Sequence, residues 1–189
     1  VHCDQQFESI AHKVEWELNI YMNCVGTQDH VSEAECNQCT IKERFRSVSH
    51  GLYFNRMPAV MIKKLAAWCA QGLNYVPPKD GVSSFYSPYM IMHGRMCDYQ
   101  RIKIPFGTYV QAYHPPKELN SNEPRTVDAI YLKPMETPQI MHEVMHLASG
   151  HVMRVSRVIV MKMTDNVIAQ VHAMADKAGI KKYTYHNQY

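Results

Sequence analysis

Phe106-Gly107-Thr108-Tyr109-Val110-Gln111-Ala112-Tyr113 alternates as a strand does, with side chains sent to opposite faces at successive residues. The periodicity of the chain switches here. Downstream, Thr126 to Leu132 and Val152 to Val160 carry the same alternation, and turn-forming clusters, His114 to Pro124 and Lys133 to Gln139, separate the runs. Residues 106–163 therefore read as a small antiparallel β module. Thr164-Asp165 caps a last helix that keeps Val167, Ile168, Val171 and Met174 on one face. Residues 164–189 are expected to be this helix and a loose polar tail.

Upstream the spacing is helical. Phe7, Ile10, Ala11, Val14 and Leu18 predict an amphipathic helix over 7–18, and Ile20 to Val25 is a short strand candidate. Ser32 is placed to N-cap a helix through Ser49, with Glu33 and Glu35 in a first turn where the helix dipole favours acids. Ala59 to Tyr75 reads as a further helix with Pro58 at its first turn, ended by Pro77-Pro78-Lys79-Asp80-Gly81. Residues 1–76 are thus expected to run strand, helix, strand, helix, helix. Residues 77–105 read as an irregular linker, with Ser87-Pro88 and His93-Gly94 as breakers.

The 189 residues, 46% apolar and 20% charged, fit a globular chain of one or two domains with a real core. No run of about eighteen apolar residues predicts a membrane span. Val1-His2-Cys3-Asp4 has no initiator Met and no secretory leader, so the chain is expected to be an internal piece of something longer. Cysteines at 3, 24, 36, 39, 69 and 97 follow no framework spacing, which predicts reduced thiols in an intracellular, non-secreted protein. Charge is uneven. Residues 1–50 hold 4 Lys/Arg against 8 Asp/Glu, residues 51–105 hold 7 against 2, and the remainder 9 against 7. An acidic first part before a basic middle suits a metal site beside a phosphate-binding surface.

Asp4 sits where a short strand ends at a helix start, and Glu35 near the start of a helix about thirty residues later. That is the layout of an RNase-H-like phosphoryl-transfer site, in which two divalent metals clamp the attacking and leaving oxygens of a phosphodiester. Such a site needs a third carboxylate on an earlier strand, and the chain is expected to start after it. Helical spacing puts Glu35, Gln38, Lys42 and Arg46 along one side of one helix, so that a metal-binding acid and a cation two turns on face the same way.

The chain resembles the integrase of copia-type retrotransposons. The matching stretches are His30-Val31-Ser32-Glu33-Ala34-Glu35, Thr40-Ile41-Lys42-Glu43-Arg44, Asn74-Tyr75-Val76-Pro77, Ser87-Pro88-Tyr89-Met90-Ile91-Met92, Phe106-Gly107-Thr108-Tyr109-Val110 and Met163-Thr164-Asp165-Asn166-Val167-Ile168. The resemblance implies an α/β partial RNase-H-like (retroviral-integrase-like) core over 1–76, followed by the small SH3-like module. It implies DNA 3′-end processing and strand transfer with two Mg²⁺ or Mn²⁺ ions, Asp4 and Glu35 as catalytic metal ligands, and an isolated chain that is inactive without the first Asp. Lys42 would position a DNA phosphate, with Gln38 and Arg46 beside it. Arg154, Arg157 and Lys162 of the β module would touch the DNA backbone. The implied partners are element-end and target DNA and further copies of the full-length protein, in the nucleus or in a cytoplasmic particle of the element. The family carries basic residues at the positions of Cys36 and Cys39, a change that should weaken phosphate contact.

Two other classes compete. One is a non-catalytic nucleic-acid-binding or assembly module. The other is a zinc metalloprotease, because His142-Glu143-Val144-Met145-His146 matches H-E-x-x-H. That motif needs a helix to bring its histidines together. The segment reads better as a hairpin turning at Ser149-Gly150, where residues four apart lie about 13 Å from each other. Cys36-Asn37-Gln38-Cys39 matches C-x-x-C but has no second pair to complete a zinc site.

Overall fold

The computed structural model describes residues 2–4, 7–25, 32–79, 81–114, 122, 124–137 and 139–180; for residues 2, 4, 25, 32–34 and 101 the description is of the backbone alone. The chain is α/β and divides into two compact units, residues 1–44 and 45–189.

In the first unit β1 (His2–Asp4) leads into α1 (Glu8–Leu18), which leads into β2 (Asn23–Val25). The two strands pair in parallel, with His2, Cys3 and Asp4 opposite Asn23, Cys24 and Val25. Parallel neighbours need a crossover, and α1 supplies it. Asn19 ends α1 in a left-handed conformation (φ 52°), which asparagine tolerates better than most residues. The Met22 amide then donates to Glu15 Oε1 at 2.9 Å, folding the connection back onto the helix. A long helix, α2, follows over Ser32–Gly51.

In the second unit α3 (Ala59–Leu73) begins after Pro58 and buries Met61, Leu65 and Cys69, one stripe of a helical repeat. Five strands follow: β3 (Tyr109–Tyr113), β4 (Thr126–Pro134), β5 (His142–His146), β6 (Val152–Val155) and β7 (Val158–Val160). All pairings are antiparallel, in the order β6-β5-β4-β3-β7, so the last strand returns to lie beside the first. Val110, Ala112, Ala129, Tyr131, Val144 and Val155 share one face and form the module's core. β4 lies against α3 and is buried on both sides, so Ala129, Ile130, Tyr131 and Leu132 are all inaccessible despite their alternation. Its register with β5 shifts between Tyr131 and Lys133, a bulge that leaves Leu132 as the extra residue. The last helix of the unit (Asp165–Lys177) closes it, burying Val167, Val171 and Ala175.

The element order over 1–76 follows the sequence expectation. Residues 82–105 do not, because they hold α4 (Pro88–His93) and a 3-10 helix (Tyr99–Ile102). The closing helix over Asp165–Lys177 is accordingly α5. Ser87-Pro88, expected to break structure, starts it instead: Ser87 accepts from the Met90 amide at 3.3 Å, and Pro88 occupies the helix position where a missing N–H costs nothing. Asp98 caps the 3-10 helix through the Gln100 amide at 3.0 Å. The run 152–160 is two strands, interrupted at Ser156 and Arg157. Trp16 of α1 is 84% exposed.

Candidate functional site

Asp4 is the last residue of β1 and pairs with Val25 of β2. Its side chain lies outside the described residues, as does the expected meeting of its carboxylate with that of Glu35. Glu35 stands in the first turn of α2, exposed. Gln38 and Lys42 follow it on the same helix; Gln38 is exposed and Lys42 is exposed, and Arg46, half-buried, falls in the second unit. Among the described residues no three His, Cys, Asp or Glu side chains gather to hold a metal ion. No helix among them is long and apolar enough to cross a membrane.

The cations expected on the β module differ in their surroundings. Arg154, in β6, is directly opposite Glu143 of β5, and its Nε lies 3.9 Å from Glu143 Oε1. Arg157 is exposed in the break between β6 and β7, where its carbonyl accepts from the Tyr113 amide at 3.0 Å. Lys162 is exposed just past β7. Arg157 and Lys162 thus present charge to solvent, while part of Arg154's charge is offset.

The H-E-x-x-H stretch is strand β5, so the helical face that a zinc protease needs is not formed by these residues. His142 and His146 point to one face of the sheet and Glu143 to the other. His142 is buried, and burial lowers its pKa below the ordinary histidine value. Its Nδ1 is 3.4 Å from the Tyr131 hydroxyl, whose pKa burial pushes well above its usual range. His146 Nδ1 is 2.8 Å from Ser149 Oγ in the turn that Gly150 closes at φ 71°. Glu143 is buried with Lys64 Nζ of α3 at 2.6 Å.

Sequence reasoning missed two features. A groove of about 940 Å³ runs between the sheet and α5, bordered by Gln111, Asp128, His146, Gln170, Met174 and Lys177. At its edge Asp128 accepts from the Tyr109 hydroxyl and from Gln111 Nε2. The other is a polar cluster under α4, where Gln71 Nε2 donates to the Tyr75 hydroxyl at 2.6 Å and to Glu136 Oε1 at 3.0 Å. Gln71 Oε1 is buried there without a hydrogen-bond partner. A polar residue at one helical position carries no sign of the strand carboxylate it will meet, so neither feature is legible from spacing.

The cysteines sort into three environments. Cys36 and Cys39 are exposed on α2, and Cys69 and Cys97 are buried. Cys3 and Cys24 are half-buried with their sulfurs 3.2 Å apart. The hydrogen bond shared with Cys3 is the main reason the Cys24 thiol is pushed up to about 11. No family model matches the chain, and no curated protein matches it.

Proposed function

We propose that the chain is a piece of a retrotransposon integrase, comprising the second half of an RNase-H-like core and the SH3-like module that follows it. The observation that carries this reading is the order and pairing of the first unit: Asp4 closes a strand held parallel to β2, and Glu35 opens the helix after it. The return of β7 to β3 supports an SH3-like assignment for the module. The donor set suits the metal. Carboxylates are hard oxygen ligands, and Mg²⁺ is commonly held by one or two of them together with substrate phosphates. Asp4 and Glu35 would hold the ions, which supply charge stabilisation and an activated oxygen at a phosphodiester. Lys42, two turns beyond Glu35, neutralises a flanking phosphate, with Gln38 and Arg46 as neighbours. Arg157 and Lys162 hold the DNA backbone without reading sequence. The working form is an oligomer on DNA in the nucleus or in a particle of the element.

The test is Mn²⁺ binding in the presence of a duplex end, followed by electron paramagnetic resonance. Asp4→Asn and Glu35→Gln should each weaken it several-fold, while Glu43→Gln on the same helix leaves it unchanged. Equal Mn²⁺ binding by all four proteins would defeat the reading. A non-catalytic DNA-holding module is the second reading, favoured by the exposure of Arg157 and Lys162 on the ordered β module. It is selected if duplex binding depends on these two residues and not on Mn²⁺.

A further inference from the structure

We propose that Cys3 and Cys24 form a redox couple that closes to a cross-strand disulfide, making the β1–β2 pair a site of thiol modification. The two residues are register partners on adjacent parallel strands, and their sulfurs are 3.2 Å apart. Neighbouring strands run about 4.8 Å apart, inside the Cα separation that a disulfide accepts. The sulfurs need to approach by roughly one ångström more to reach a bond of about 2.05 Å. Both residues are half-buried, so a small oxidant has access. The inference is independent of the integrase reading.

The oxidant is a small-molecule disulfide such as oxidised glutathione. One cysteine thiolate attacks it, forming a mixed disulfide and releasing a glutathione thiolate. The second cysteine attacks the protein sulfur of that mixed disulfide and releases the second glutathione. Two electrons pass from the dithiol to the oxidant, and the two thiol protons go to the released thiolates or to solvent. The second step is intramolecular, and the register keeps its effective concentration high. The product joins β1 to β2 one residue before the Asp4–Val25 pair.

The experiment equilibrates the full chain in glutathione buffers of graded ratio, blocks free thiols by alkylation, and maps the products by mass spectrometry. A Cys3–Cys24 cross-linked peptide is expected at an oxidised-to-reduced ratio at least about tenfold lower than that needed to glutathionylate Cys36 or Cys39. Cys3→Ser and Cys24→Ser should each abolish the cross-link and leave the remaining partner free or glutathionylated. The double variant Cys36→Ser/Cys39→Ser should retain it. Alkylation of Cys3 and Cys24 at every ratio that modifies Cys36, or a cross-link from Cys3 to a cysteine other than Cys24, would overturn the proposal.

Discussion

Lys64 Nζ lies 2.6 Å from Glu143 Oε2, an ion pair that ties α3 to β5, beside the central strand of the sheet. Glu143 is 8% exposed and Lys64 30%, so the pair works in partly excluded solvent. Arg154 adds a more distant partner at 3.9 Å. The glutamate that a motif search would make a catalytic base is thus held as a structural anion.

Removing the cation should cost more than removing the anion's charge. Lys64→Met leaves a buried carboxylate with only the distant Arg154, and is expected to destabilise the second unit by about 2–3 kcal/mol, below the full buried-pair value because Lys64 is partly exposed. Glu143→Gln keeps the shape and discards the charge, and should cost about 1–2 kcal/mol. Urea unfolding at neutral pH distinguishes the two; equal midpoints for both variants and the parent chain would contradict the account.

Gly107 should resist substitution for two separable reasons. Its φ is 82°, and a Cβ there would stand 2.7 Å from Leu52 Cδ2. Gly107→Ala is expected to cost about 1–2 kcal/mol from the left-handed backbone alone, plus the displacement of Leu52. In the double variant Gly107→Ala/Leu52→Ala the clash is gone but the backbone cost remains. A double-mutant cycle by thermal or urea unfolding should therefore show coupling between the two sites.

His142 gives the second unit a pH dependence of definite sign. Its folded pKa is lowered by burial, so the unfolded chain binds the proton first as pH falls. Stability from this residue is complete above the unfolded value near 6.5, and declines as pH drops from there towards the folded pKa. His142→Phe removes the titrating group. Its midpoint in urea should change less between pH 7 and pH 5 than that of the parent chain.

DNA binding should be sequence-independent and strongly salt-dependent. Removing one cation that neutralises a phosphate makes the log–log salt slope shallower by about 0.9. Arg157→Ala and Lys162→Ala are expected to lower both affinity and the steepness of that slope on unrelated duplexes. Arg154→Ala should do so less, because Glu143 already offsets its charge. Lysines in place of Cys36 and Cys39, both exposed on α2, should raise affinity. Fluorescence anisotropy across a salt series measures all of these, and an effect confined to one DNA sequence would contradict backbone contact.

Much of the secondary structure was legible because it depends on local rules. Phe7 to Leu18 gives α1 through helical spacing, Pro58 starts α3, and alternation marks β3 and β4. Where one residue pair carries two meanings, reading failed: Ser87-Pro88 breaks a preceding helix or begins the next, and only the hydrogen bond to Met90 decides. β5 was legible as one arm of a hairpin turning at Ser149-Gly150, but its burial was not: Met145 and Glu143 are buried on the face away from Val144, which erases the alternation expected of a one-sided strand. The backbone placement of Asp4 at a strand end and of Glu35 in a helix's first turn was legible, whereas the partners of Glu143 come from residues 79 positions earlier and 11 later, a separation that no local pattern encodes.

The pairing of β7 with β3 has a consequence for the order of assembly. β3 to β6 form a run of neighbours in which each strand meets the one before it, and these pairings can be made as the chain lengthens. The outer edge of β3, from Val110 to Ala112, waits for Val158 to Val160. Pairings between segments so far apart in sequence form slowly, since a long loop must close before they stabilise anything. During synthesis that edge is therefore a row of unmatched amides and carbonyls, open to any other extended chain until the last strand arrives.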